Sequence, residues 1–325
     1  MTKRILAFGR LKPHHLEQLR THFHVDYFDH LESADDPAFR EALSEAHGLL
    51  GASLPVTSEL LDDAPHLEAI SSISVGVDNY PVDELTRRNI LLCHTPDVLT
   101  ETTADTGFLL IMASARRAVE LANMVKQGQW TSSIGEPHFG TDVHGKTLGM
   151  VGFGRIGQAI ARRGALGFGM SVLYTHASRK PALEAELGAT HCEFETLLEQ
   201  ADFVCVNVPL TAETTGLMDA AVFKRMKSSA ILINIARGKV VDEQALIEAL
   251  SSGEIHAAGL DVFAQEPLPG DSPLTRMDNV VTLPHIGSAT HETREAMAQR
   301  AIDNVIAALE GRRPPSPYND VTPRG

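Results

Sequence analysis

Short, continuous apolar runs recur along this chain, and few architectures tolerate them. In its second half they fall at 147–151, 171–174, 203–208, 230–235, 257–262 and 280–283, with almost no polar residue inside. A strand with one wet face alternates apolar and polar residues, so unbroken runs mark strands covered on both faces, as in parallel sheets. Helical spacing follows most of them, at 156–168, 195–200 and 242–250. The first third repeats the scheme, with runs at 5–8, 25–28, 48–50, 69–73 and 90–93 and helix-like segments around 14–22, 37–46 and 58–63. Strand–helix alternation predicts βαβ units, and 325 residues leave room for two domains. An uncapped helical pattern runs from about 101 to 127 and stops at Gly128; a last helix spans about 290–309 before a Pro-rich tail at 314–323. The expected fold is α/β, with two doubly wound parallel-sheet domains.

Charge narrows the partners. The chain carries −14 overall, and residues 1–100 alone hold 8 basic and 16 acidic side chains. Coating nucleic acid or anionic membrane needs clustered Lys and Arg, so neither is an expected partner. Cys93, Cys192 and Cys205 lack the spacing of a zinc or redox pair, and no metal site is expected. An odd count without a disulfide framework fits a reducing compartment. The N-terminal apolar run ends at Phe8, too early for a secretory signal, so a cytoplasmic location is expected.

The strand at 147–151 runs directly into Gly152-Phe153-Gly154-Arg155-Ile156-Gly157, and helical periodicity follows. In that setting G-x-G-x-x-G is a dinucleotide loop. The first glycine makes the tight turn, the second lets the backbone approach a pyrophosphate, and the third lets helix and strand pack closely. Exposed N–H groups at the helix start then receive the anion. An NAD enzyme usually carries Asp or Glu at the end of the next strand, to accept from the ribose 2′-OH. Here that strand ends at Tyr174 and is followed by Thr175, His176, Ala177, Ser178, Arg179 and Lys180, with no carboxylate. A guanidinium grips a 2′-phosphate that a carboxylate would repel, so NADPH is expected in preference to NADH.

Three later strands end in Asn234-Ile235-Ala236-Arg237-Gly238, in Asp261 through Pro267, and in Pro284-His285-Ile286-Gly287-Ser288. Each supplies a different polar group where an open α/β sheet presents its ligand crevice. Reduction of a 2-oxo acid needs such a set. Arg237 can hold the substrate carboxylate with its fork. His285 can protonate the carbonyl oxygen, because imidazole titrates near working pH. Glu266 can favour the protonated ring and fix its orientation.

These blocks, with Ser74-Val75-Gly76-Val77-Asp78, resemble the D-isomer-specific 2-hydroxyacid dehydrogenase family over essentially the whole chain. Residues 97–102, 227–231 and 285–294 are similar to its branch of bacterial glyoxylate/hydroxypyruvate reductases, which also reduce 2-ketogluconate and favour NADPH. The resemblance implies a Rossmann-type dinucleotide-binding domain at 101–289, and a flavodoxin-like substrate domain assembled from 1–100 and 290–325. It implies catalytic roles for Arg237, Glu266 and His285, and carboxylate binding by the Val75–Gly76 amides across a cleft. Asp261 would hold the nicotinamide carboxamide, with Thr103 and Ile235 lining its pocket; Pro209, Ala236 and Gly287 complete the implied cofactor set. Dimers would form through the nucleotide domain around 117–130, although Trp130 could equally be a core indole.

The expected activity is hydride transfer from NADPH to C2 of glyoxylate, hydroxypyruvate or 2-keto-D-gluconate, giving D-2-hydroxy acids. A relative acting on 3-phosphoglycerate, D-lactate or formate is the nearest rival. An L-specific dehydrogenase would open with its dinucleotide loop, and here about 150 residues precede it. A dinucleotide-sensing regulatory protein shares the fold, and a cofactor-oxidation assay separates it from an enzyme.

Overall fold

The computed structural model describes residues 2–9, 11–31 and 33–324. The chain divides into two compact units: one comprises the residues up to Leu99 and those from Thr290 onward, and the other spans Thr100–Ala289.

The first unit alternates β1 (Arg4–Phe8), α1 (Pro13–His22), β2 (His24–Phe28), α2 (Pro37–Ser44), β3 (Gly48–Gly51), α3 (Ser58–Asp62), β4 (Ala69–Ser72), α4 (Val82–Arg87) and β5 (Leu91–Cys93). Its sheet is parallel in the order β2-β1-β3-β4-β5, the flavodoxin order. The second unit begins with α5 (Thr100–Ala115) and α6 (Ala118–Lys126). It continues through β6 (Thr147–Val151), α7 (Arg155–Arg162), β7 (Ser171–Thr175), α8 (Pro181–Leu187), β8 (Thr190–His191), α9 (Phe194–Gln200) and β9 (Phe203–Val206). It ends with α10 (Ala220–Arg225), β10 (Ile231–Asn234), α11 (Glu243–Ser252), β11 (Ala257–Leu260) and β12 (Val280–Thr282). The chain then returns to the first unit as α12 (His291–Leu309).

The second sheet is also parallel, ordered β8-β7-β6-β9-β10-β11-β12, the Rossmann order with one strand added. Both sheets are covered on both faces, which is why their strands read as unbroken apolar runs. One cluster built on Phe108, Ile111, Ile160 and Tyr174 lies against the second sheet, and another built on Leu197, Phe223, Leu246 and Leu274 opposes it. In the first unit Ile302, Val305 and Leu309 of α12 pack with Ile5 and Leu91, while Phe39, Leu60 and Leu85 fill the other face.

The strands β9, β10 and β11 stop one or two residues short of their apolar runs, releasing Asn207, Ile235 and Asp261 into the loops at the carboxyl edge. The helix expected at 101–127 is two helices. The Ala115 carbonyl accepts from Thr141 N–H at 2.8 Å, and Arg117 turns into the left-handed region at φ 52°. There it forms an ion pair with Glu120 and donates to the Pro137 carbonyl, so the returning segment closes α5. The helix expected at 156–168 is α7 followed by a wider turn at Arg163–Gly167. Helices α4, α8 and α10 and the two-residue β8 are too short for periodicity to show. No helix among the described residues is long and apolar enough to cross a membrane.

Candidate active site

The switch point of the second sheet lies between β6 and β9, where the strand order reverses. Gly152 leaves β6 at φ 92°, and a Cβ there would lie 2.7 Å from the Asn207 carbonyl at the exit of β9. A Cβ at Gly157 would lie 2.6 Å from the Gly152 carbonyl, so both positions demand glycine. Gly154 precedes α7, and a Cβ there would meet nothing within 4 Å. A tight turn into a helix start, with open space at its middle glycine, fits a pyrophosphate on the first-turn N–H groups. Arg155 opens α7, exposed, and Ile156 packs partly against the core.

At the end of β7, Arg179 is not an idle cation. Its Nε donates to Glu184 at 3.1 Å, and an ion pair joins the two side chains. Glu184 also accepts from the Tyr174 hydroxyl at 2.6 Å, and its Arg179 and Tyr174 donors hold its carboxyl down at about 2. Tyr174 is fully buried and stacks on Phe153 of the dinucleotide loop, with ring centroids 4.1 Å apart. Lys180 donates through Nζ to Ser178 Oγ at 3.2 Å, and Thr175 ends the strand without a carboxylate nearby in sequence. Sequence spacing placed Arg179, Lys180 and Ser178 on one turn but missed Glu184, which lies a helical turn further on in α8.

The edge formed by β10, β11 and β12 gathers the polar residues. Asn234 ends β10 fully buried; its Nδ2 donates to the Arg237 carbonyl and its Oδ1 accepts from Ala236 N–H, each at 3.0 Å. That bracket fixes the Ile235–Arg237 turn, and Arg237 Nη1 donates to the Ala236 carbonyl at 2.9 Å. A Cβ at Gly238 would fall 1.8 Å from the Phe263 carbonyl carbon, so only glycine lets the two loops meet. Gly238→Ala is expected to cost about 1–3 kcal/mol through overpacking, read as a lower melting temperature; an unchanged melting temperature would contradict this contact.

From Phe263 the chain reaches Glu266. One carboxylate oxygen accepts from Phe263 N–H at 3.0 Å, and the other accepts from His285 Nδ1 at 2.7 Å. The carboxylate only accepts, so Nδ1 carries the proton of that bond. His285 adopts φ 54°, a strained conformation for a side chain with a Cβ. Its successors hold it there: Ile286 and Gly287 N–H donate to the Asp261 carboxylate at 2.7 and 2.8 Å. Burial pushes the Asp261 carboxyl up, opposed by those two N–H donors. A Cβ on Gly287 would sit 3.2 Å from Asp261 Oδ2 and 3.3 Å from Thr103 Cγ2, which brings Thr103, Asp261 and Gly287 together. Ile235 faces α5 at Gly107, and Pro209 lies exposed in the loop leaving β9.

In the first unit, Ser74–Gly76 leave β4 in the loop above its carboxyl end. Trp130 is not a core indole: it is 59% exposed, close to exposed Val125 and Phe139 in sequence.

Residues 108–287 match the family model for the NAD binding domain of D-isomer specific 2-hydroxyacid dehydrogenases. The chain is 55% identical over 311 residues to glyoxylate/hydroxypyruvate reductase B of Escherichia fergusonii, covering 96% of each. It is 54% identical over 312 residues to the protein of that name from Citrobacter koseri, again covering 96% of each. Among solved structures it resembles the NADPH-dependent glyoxylate/hydroxypyruvate reductase of Sinorhizobium meliloti in complex with NADP and malonate. That match has TM-score 0.89 and 33% identity, covering 100% of this chain and 99% of that one. On this evidence the chain belongs to the D-isomer-specific 2-hydroxyacid dehydrogenase family of oxidoreductases.

Proposed function

We propose that this chain reduces short 2-oxo acids (glyoxylate, hydroxypyruvate and 2-keto-D-gluconate) to D-2-hydroxy acids, using NADPH in preference to NADH. The observation that carries the reading is the His285–Glu266 pair, locked through Phe263 and Gly238 to the Arg237 turn. The names of the Escherichia fergusonii and Citrobacter koseri relatives support the substrate class, and the NADP-bound Sinorhizobium meliloti enzyme supports the coenzyme.

A bound reduced nicotinamide would supply the hydride for C2. Protonated His285 gives the proton on Nε2 to the carbonyl oxygen as it gains charge, and the neutral ring is later reprotonated from solvent. Glu266 keeps Nδ1–H engaged throughout, so Nε2 stays aimed. The Arg237 fork would bind the substrate carboxylate, and the Val75 and Gly76 N–H groups are the further carboxylate donors that the family resemblance implies. Thr103, Ile235, Asp261 and Gly287 would hold the nicotinamide end of the cofactor, and Ala236 and Pro209 would also contact it. Gly152, Gly154, Arg155, Ile156 and Gly157 would hold the pyrophosphate. Thr175, Ser178, Arg179 and Lys180 would hold the 2′-phosphate; Arg179 gives Nε and Nη2 to Glu184, which leaves Nη1 for that phosphate. The chain pairs with a second copy through its dinucleotide-binding domain; exposed Val119, Val125, Trp130 and Phe139 support that face.

A panel of the three acids, each with NADPH and NADH, tests this reading. Higher kcat/KM with NADPH is expected, and Arg179→Ala should cut it about 10–100-fold while sparing NADH, the range for a charge-assisted phosphate contact. Turnover of D-lactate or a phosphorylated acid in preference to all three would refute the substrate assignment.

A further inference from the structure

We infer that His94 is a positioning residue for the substrate carboxylate: it aims the Gly76 N–H by anchoring the Val75 carbonyl. The inference rests on reading Val75 and Gly76 as carboxylate donors, and adds a residue that reading does not contain.

In a trans peptide the C=O and the following N–H point in opposite directions, so fixing one aims the other. Two successive peptides of the loop after β4 are fixed this way by two successive residues after β5. Thr95 N–H donates to the Ser74 carbonyl at 2.9 Å, which directs the Val75 N–H away from β5. His94 Nδ1 lies 3.0 Å from the Val75 carbonyl, which directs the Gly76 N–H likewise. A carbonyl only accepts, so His94 presents Nδ1–H. Among the described residues neither the Val75 nor the Gly76 N–H has an acceptor. Two adjacent donors thus stand open while the carbonyls behind them are satisfied, an arrangement suited to an anion.

The next peptide is held from the opposite side. Ser74 Oγ donates to the Gly76 carbonyl at 2.7 Å, so it must accept from Ser72 Oγ, 2.6 Å away, which in turn accepts from the buried Tyr80 hydroxyl at 3.0 Å. His94 itself is placed by the chain's last segment. Its N–H donates to the Ser316 carbonyl at 3.2 Å, its carbonyl accepts from buried Asn304 at 2.9 Å, and the Tyr318 ring stands edge-on to its imidazole, 5.1 Å away. Asn304 Oδ1 accepts from Ser316 N–H at 2.9 Å, closing the bracket. With this support His94 holds one ring orientation, and no other described side chain donates to the Val75 carbonyl.

The test measures KM for glyoxylate and hydroxypyruvate, kcat, and the NADPH dissociation constant in wild type, His94→Ala and His94→Asn. Asn Nδ2 sits close to where His Nδ1 sits and keeps a donor. With H94A the 2-oxo acid KM should rise about 10–100-fold, the range for one mis-aimed hydrogen bond to a charged group, while NADPH binding stays within about twofold; H94N should recover most of the loss. His94→Leu replaces H94A if that variant does not fold, as judged by thermal melting. Unchanged KM in the donor-free variants, equal impairment of H94A and H94N, or parallel loss of NADPH binding each overturns the inference. A wild type that reduces no 2-oxo acid overturns the functional reading and the inference with it; active wild type with an indifferent His94 overturns the inference alone.

Discussion

Replacing His285 by Ala should lower kcat on glyoxylate by roughly 10²–10⁴, the usual share of positioned proton transfer, and leave NADPH binding intact. The structure separates these effects. The imidazole touches Glu266, whereas the backbone that follows is tied to the Asp261 carboxylate through the Ile286 and Gly287 N–H groups, and alanine keeps those bonds. Alanine also tolerates the left-handed φ of 54° no better than histidine, so the variant carries about the same strain. Single-turnover rates with bound NADPH are the appropriate measurement. Near-native turnover would remove His285 from the proton-donor role, and weakened NADPH binding would show that the ring supports the loop instead.

Arg237→Lys should reduce kcat/KM for 2-oxo acids by about 10²–10³, the cost of losing one oriented donor to the reacting group. Lysine keeps the charge but not the fork, so the loss measures geometry rather than net attraction. The Asn234 side chain bonds the backbone of the Ile235–Arg237 turn, and those bonds survive the substitution. The melting temperature and the NADPH KM should therefore barely move. A variant with wild-type kcat/KM would mean that the carboxylate is held elsewhere, with the Val75–Gly76 loop the first place to look.

Much of this was readable from residue order. A G-x-G-x-x-G loop between an unbroken apolar run and a helical pattern located the switch point, because glycine is required there by local sterics: φ 92° at Gly152 and the 2.6 Å approach at Gly157 are backbone facts. The strand runs were legible because burial on both faces removes polar residues from them. Other features left no local trace. The break at Arg117 depends on Thr141 capturing the Ala115 carbonyl, and periodicity within 101–127 carries no sign of a partner that arrives later in the chain. Exposure of Trp130 was undecidable for the same reason, since an indole reads alike in a core and on a face.

The polar partnerships divide along that line. Composition and spacing determined that the chain is α/β, that it holds a dinucleotide loop, and that Arg237, Glu266 and His285 each follow a strand. Only tertiary structure decided which atoms meet: the Glu266 carboxylate on His285 Nδ1, Glu184 on Arg179, Gly238 against Phe263, and His94 behind the Val75 carbonyl. Local sterics act over a few residues and are written in order along the chain. A hydrogen bond between strand-end loops acts over about 3 Å in space and is set by the sheet that brings those loops to one edge.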